Sequence, residues 1–245
     1  MRAIALVDLD DTLFQTLRKC PSDVPHDALV PLGFARDGSP LSYATPRQQS
    51  FIAWLSDTAW FVPVTARSRD ALNRVRIPFT AAICAHGGMI VGEDGAPDAE
   101  WRAHIAAEAA QHRPALEALA AQVTAAGRDL AVRILTEEGI GLYLLVKDPG
   151  QDEHVLNAAI DQVAHRLPGG WTLHRNGNNA AFMPPFLGKA KAVEALLPRL
   201  RARHPDAPVI GIGDSLTDAP FMAMCDFAMM PPRSQLGIAA LGQFA

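Results

Sequence analysis

The apolar run Ile4-Ala5-Leu6-Val7 stops abruptly at Asp8-Leu9-Asp10-Asp11. So short a run reads as a strand buried on both faces, as in parallel sheets covered by helices. Residues i and i+2 of a strand share a face. If the chain turns here, Asp8 and Asp10 can both point into a crevice at the carboxyl end of a sheet, where open α/β folds place their ligands. Two acids that close repel each other and favour a cation; a hard divalent ion such as Mg2+ with oxygen ligands would satisfy them. The competing reading is a loop in which Asp11 or Thr12 caps a helix beginning near Leu13. An EF-hand loop is excluded, because its sixth position requires Gly and its twelfth Glu, and Leu13 and Lys19 stand there.

Downstream, three more apolar runs end in polar residues. Trp60 to Val64 ends at Thr65-Ala66-Arg67, Ala81 to Ala85 at His86-Gly87-Gly88, and Pro208 to Ile212 at Gly213-Asp214-Ser215. Helical patterns at 46–56, 69–75, 189–203 and 219–224 separate or follow them, with Phe51, Trp54 and Leu55 as the apolar stripe of the first. Strand–helix alternation implies a parallel sheet with right-handed crossovers. Residues 15–45 hold four prolines and little periodicity, and read as one long loop. The middle of the chain has another texture. It reads as a hairpin about the turn at 92–95, an Ala-rich helix over 102–126 interrupted near Pro114, strands at 131–135 and 140–146, a helix over 152–166, and strands at 171–175 and 180–183. The fold class is therefore α/β: a Rossmann-like parallel-sheet core (1–85 and 186–245) carrying an inserted α+β domain (86–185).

The chain has 245 residues, 49% of them hydrophobic and 20% charged, with a net charge of -4. No basic excess exists to displace counterions, which argues against a nucleic-acid partner. Three cysteines, odd in number and far apart, fit reduced thiols rather than a disulfide framework. No signal peptide and no membrane-length apolar stretch is evident. The expectation is a soluble cytoplasmic protein with no membrane partner. The sequence carries no mark of an oligomeric state.

Together these residues carry a family resemblance. Asp8-Leu9-Asp10-Asp11-Thr12-Leu13, Thr65, Lys189 and Gly213-Asp214-Ser215-Leu216-Thr217-Asp218 match, in order and context, the four motifs of the haloacid dehalogenase-like (HAD) hydrolases. The insert between the second and third motifs resembles the C2-cap branch, which includes Cof-type, sucrose-phosphate and trehalose-phosphate phosphatases. Three positions depart from that branch: Ala66 stands for the Gly of its T-G-R, Ala190 for the Gly after the motif lysine, and Thr217 for a frequent Asn. Ala190 leaves Lys191 as a weaker contender for the lysine role.

The resemblance implies a Mg2+-dependent phosphatase acting on a small phosphorylated metabolite, with sugar phosphates favoured. In that reading Asp8 attacks phosphorus and Asp10 moves the proton. Asp8, the Asp10 backbone carbonyl and Asp214 hold Mg2+, with Asp218 bound directly or through water, while Thr65, the backbone at Ala66 and Lys189 hold the phosphoryl oxygens. A phosphomutase similar to phosphomannomutase shares the first steps, and a non-catalytic binding protein on the same scaffold is the reading from another class.

Other signals are bland. Gly211-Ile212-Gly213 is not a dinucleotide fingerprint, Gly188-Lys189 is not a P-loop, and the histidines lack zinc-ligand spacing. Arg67 reads equally as a substrate contact or a surface arginine. Asn178 and Asn179 read first as turn residues and second as substrate contacts, and Glu137-Glu138 as a solvated turn. The 15–45 segment is either a second lid or a cover for the core, and the apolar tail after Pro232 packs on the core or on a partner.

Overall fold

The computed structural model describes residues 2–127, 129–175 and 177–242. In chain order the elements are β1 (Ala3–Val7), β2 (Gln15–Thr16), β3 (Val30–Phe34), β4 (Pro40–Ala44), α1 (Pro46–Thr58), β5 (Ala59–Pro63), α2 (Arg69–Leu72), β6 (Ala82–Cys84) and β7 (Met89–Val91). There follow α3 (Ala99–Ala126), β8 (Ala131–Glu137), β9 (Ile140–Lys147), α4 (Glu153–Ala164), β10 (Thr172–Arg175) and β11 (Ala180–Met183). The chain closes with α5 (Lys189–Arg203), β12 (Val209–Ile212), α6 (Ala219–Met222), β13 (Phe227–Met229) and α7 (Gln235–Leu241). Two compact units result: Met1–Trp101 with Lys189–Ala245, and Arg102–Gly188.

The first unit is built on a parallel sheet of order β13-β12-β1-β5. Val7 pairs with Ile212 on one side and Pro63 on the other. Ala5 and Val7 of β1, Phe61 of β5, Ile212 of β12, Leu55 of α1 and Leu72 of α2 share one buried cluster, each larger side chain contributing about 1.5–3 kcal/mol of burial. Strand β1 therefore lies between a strand reached early in the chain and one reached late. The chain leaves β1 towards β5 and leaves β12 the other way, towards β13, which opens a crevice at the carboxyl ends of β1 and β12.

Local chemistry sets the flanking elements, and several differ from the sequence expectation. Helix α1 starts in a capping box between Thr45 and Gln48, with Pro46 in the first turn. Of the expected stripe, Leu55 is buried and Phe51 packs partly buried against the same cluster, joined by Ile52; Trp54 is instead 47% exposed and stacks on Phe51. The 15–45 segment is not one long loop. Strands β2, β4 and β3 form a small antiparallel sheet in that order. Its register slips between Pro31 and Gly33 and again between Gly33 and Phe34. A proline that cannot donate and a bulged register erase the two-residue alternation that marks a strand.

Strand β6 meets the parallel sheet through a single bridge, Val64 to Ile83, and otherwise pairs antiparallel with β7. The expected hairpin thus turns at Ala85–Gly87, and residues 92–95 close only a tight turn before a lone bridge from Val91 to Pro97.

The second unit is an antiparallel sheet of order β10-β11-β9-β8. Leu116, Leu119 and Val123 of α3 and Leu156, Ile160 and Val163 of α4 pack with Leu144, Val146 and Phe182 of the sheet. Helix α3 runs through Pro114 without interruption. Pro114 is exposed, so the one carbonyl it leaves unpaired faces water while the buried row holds the helix. Asp152 caps α4 through the backbone N–H groups of His154 and Val155. Asn178 exchanges hydrogen bonds with the Asp148 backbone, a turn-fixing role; Asn176 lies outside the described residues. Glu137 is buried at the end of β8 rather than solvated, while Glu138 takes a left-handed φ of 48° and pairs with Arg102. Among the described residues, no helix is long and apolar enough to cross a membrane.

Candidate active site

The chain leaves β1 through a tight turn. The Asp8 N–H still donates to the Ile212 carbonyl at 2.8 Å. Leu13 N–H then reaches back to Leu9, and Asp11, at φ 63°, donates to the Phe14 carbonyl. No helix begins near Leu13, so neither Asp11 nor Thr12 is a cap. The Thr12 hydroxyl instead lies 3.0 Å from Asp8 Oδ2 and 3.3 Å from Asp214 Oδ1.

Across from this turn, Lys189 opens α5 and aims its ammonium between two acids. Nζ is 2.6 Å from Asp8 Oδ1 and 2.7 Å from Asp218 Oδ1. All three side chains are nearly excluded from solvent, at 9%, 6% and 0% exposure. Lys191, the weaker contender, is exposed. Burial alone would favour neutral Lys189, but Asp8 and Asp218 outweigh it and hold the ammonium charged.

Asp8, Asp214 and Asp218 bring one carboxylate oxygen each within 4.8 Å of the others. One ammonium does not balance three carboxylates. Burial, opposed by Lys189 and reinforced by Asp218, pushes Asp8 up to about 7. Burial, then Asp218 and Asp11, push Asp214 up to about 6. An all-oxygen donor set with surplus negative charge in a dry place fits a hard divalent cation.

The three acids are not equivalent. Asp218 Oδ2 already accepts from the Asp214 N–H at 3.2 Å, the Ser215 N–H at 3.1 Å and the Ser215 hydroxyl at 2.8 Å. It therefore ties the 213–218 loop to Lys189, leaving Asp8 and Asp214 as the freer candidates for holding a metal. A Cβ on Gly213 would stand 2.6 Å from the Asp218 Cβ, so only glycine allows this loop to close. Helix α7, which the sequence did not announce, braces the same loop: Leu236 N–H donates to the Asp214 carbonyl and Leu216 N–H to Gln235 Oε1, both at 2.8 Å.

On the other side of β1, the Val64 N–H donates to the Val7 carbonyl, which places Thr65 just past the paired ends of β1 and β5. Thr65 is fully buried and its hydroxyl oxygen accepts from the Arg67 N–H at 3.1 Å; Ala66 between them is exposed. The Thr65 and Arg67 carbonyls accept from the His86 and Ala85 N–H groups. Ala85 and His86 both have positive φ, 49° and 57°. Left-handed non-glycine residues cost of order 1–3 kcal/mol each and persist where surrounding structure requires them; here they aim two donors at the loop.

The Asp10 carboxylate does not join the acidic cluster. It receives Arg67 Nε and Nη2, each at 2.7 Å. Thr12, Ser215 and this arginine pair escaped sequence reading. A hydroxyl one turn beyond an aspartate was the available signal for Thr12.

The sequence matches no family model and no curated relative. Solved structures do match it. The sucrose-phosphatase of Synechocystis sp. PCC6803, solved with sucrose and phosphate, is 14% identical, with a TM-score of 0.54 over 100% of this chain and 98% of that one. The C-terminal domain of C. albicans trehalose-6-phosphate phosphatase is 14% identical, with a TM-score of 0.52 over 90% and 72% of the two chains. A phosphatase of the haloalkanoate enzyme superfamily from Bacteroides thetaiotaomicron is 17% identical, with a TM-score of 0.51 over 100% and 95%. The chain has the fold of the C2-cap HAD phosphatases.

Proposed function

We propose that this chain is a Mg2+-dependent phosphatase that hydrolyses a small phosphorylated metabolite, a sugar phosphate, through an aspartyl-phosphate on Asp8. The observation that carries the reading is the Lys189 ammonium seated between Asp8 and Asp218, with Asp214 within ligand reach, at the carboxyl end of the central strand. The sugar-phosphate class is supported by the fold shared with the sucrose- and trehalose-6-phosphate phosphatases. The second unit is proposed to serve as the cap that selects the leaving group. A cytoplasmic location is proposed with it, on the odd number and wide spacing of Cys20, Cys84 and Cys225 in the sequence.

In this mechanism an Asp8 carboxylate oxygen attacks phosphorus, and the bond from phosphorus to the leaving oxygen breaks as Asp10 delivers a proton to that oxygen. Water then attacks the same phosphorus, gives a proton to Asp10, and Asp8 leaves as carboxylate with inorganic phosphate released. Lys189 offsets charge on the phosphoryl oxygens, and Thr65 with the backbone at Ala66 holds them. Asp8, the Asp10 carbonyl, Asp214 and Asp218 would hold Mg2+, which supplies charge neutralisation between an anionic nucleophile and an anionic substrate.

The test is phosphate release from a panel of phosphorylated sugars and other metabolites, with Mg2+ or EDTA. Release that requires Mg2+ and disappears in Asp8→Asn is expected. Metal-independent release, or full activity in Asp8→Asn, would overturn the reading.

A further inference from the structure

The Asp10 side chain is 42% exposed, yet its carboxylate is held in one plane. Arg67 grips both of its oxygens in a two-pronged fork at 2.7 Å, the geometry that fixes a carboxylate's direction as well as its charge. Arg67 is itself fixed from three sides. Its Nη2 donates to Ser42 Oγ at 3.2 Å, its guanidinium lies 5.2 Å from the centre of the Phe14 ring, and its backbone is tied to Thr65 and Ala85. Ser42 is buried on β4. Gly33, opposite it on β3, leaves the room: a Cβ there would stand 3.1 Å from the Ser42 Cβ and 3.5 Å from Arg67 Nη1. The small sheet thus reaches Asp10 through one arginine.

We propose that Arg67, supported by Ser42 of the small sheet, is the positioning residue that aims the Asp10 carboxylate for proton transfer to the leaving group. The proposal rests on the phosphatase reading above. It assigns the 15–45 segment a part in catalysis in place of a lid, and it gives Arg67 a role other than substrate contact. A proton donor out of line matters most when the leaving oxygen is basic and least when that oxygen departs easily without a proton.

The experiment measures leaving-group release in single turnovers, and KM in steady state, with Mg2+, over substituted phenyl phosphates from 4-nitrophenyl to 4-methoxyphenyl, for wild type, Arg67→Lys, Arg67→Gln and Ser42→Ala. Both Arg67 variants are expected to lose about 3-fold on 4-nitrophenyl phosphate but about 100-fold on 4-methoxyphenyl phosphate, with KM little changed. Lysine fails to rescue because a point charge cannot make the fork. Ser42→Ala, which keeps the ion pair, is expected to tilt the series the same way by about 3-fold. Equal losses across the series would make Arg67 merely structural, and a raised KM with an unchanged series would make it a substrate contact; either overturns the proposal. A wild type that releases nothing from any substrate overturns the phosphatase reading, and this one with it.

Discussion

Lys189 neutralises two buried acids at once, and removing it leaves both without a counter-charge. Breaking a buried ion pair from one side typically costs about 3–5 kcal/mol. Lys189→Met is expected to lower the urea midpoint of the metal-free protein accordingly and to abolish phosphate release; an unchanged midpoint would show that the pairs contribute nothing. The acids themselves make metal affinity depend on pH. Asp8 and Asp214, at about 7 and about 6, both lie above the ordinary 3.8. Between those limits the metal-free native chain binds protons that the unfolded chain has released, so these two groups make its stability fall as pH rises through that window. Mg2+ must displace the same protons, so its affinity should rise from about pH 5 to about pH 7.5 and then level off. Calorimetry in buffers of different ionisation enthalpy would show the released protons, and a pH-independent affinity would contradict the site. The carboxylates were legible because each ends an apolar run. Thr12 and Ser42 were not, since a hydroxyl's partner is fixed by the turn or sheet that presents it.

The strands β1, β5 and β12 could be read because both faces are buried and the sequence stays apolar until the chain turns. The small sheet β2-β4-β3 could not, because Pro31 and two register slips destroy the alternation a reader looks for. Helix α7 follows Pro231-Pro232 and is stabilised by its Ser234 cap and its contacts with the 213–218 loop more than by an apolar stripe. Helix α3 shows the opposite error, a proline read as a break where the helix continues. Because Pro114 is exposed within a helix, Pro114→Ala restores one backbone bond without disturbing packing. It should stabilise the second unit by about 1–3 kcal/mol; a lower melting midpoint would mean that the proline shapes the helix in a way the sheet requires.

The two units have separate cores, and the three acids proposed to hold the metal all belong to the first. Binding of Mg2+ stabilises only what it contacts in the native state, by about 2.7 kcal/mol at a hundredfold excess over its dissociation constant. Hydrogen exchange should therefore slow in β1, in the turn after it and in the 213–218 loop, and remain unchanged in β8–β11; uniform protection would mean that the units unfold as one. The central claim concerns Asp8 itself. Acid quenching during turnover, reduction with borohydride and peptide mass analysis reads the nucleophile directly. The account predicts a carboxyl reduced to an alcohol at Asp8, seen with substrate and Mg2+ and absent with EDTA. Steady turnover with Asp8 unmodified, or with the mark on another residue, would contradict it.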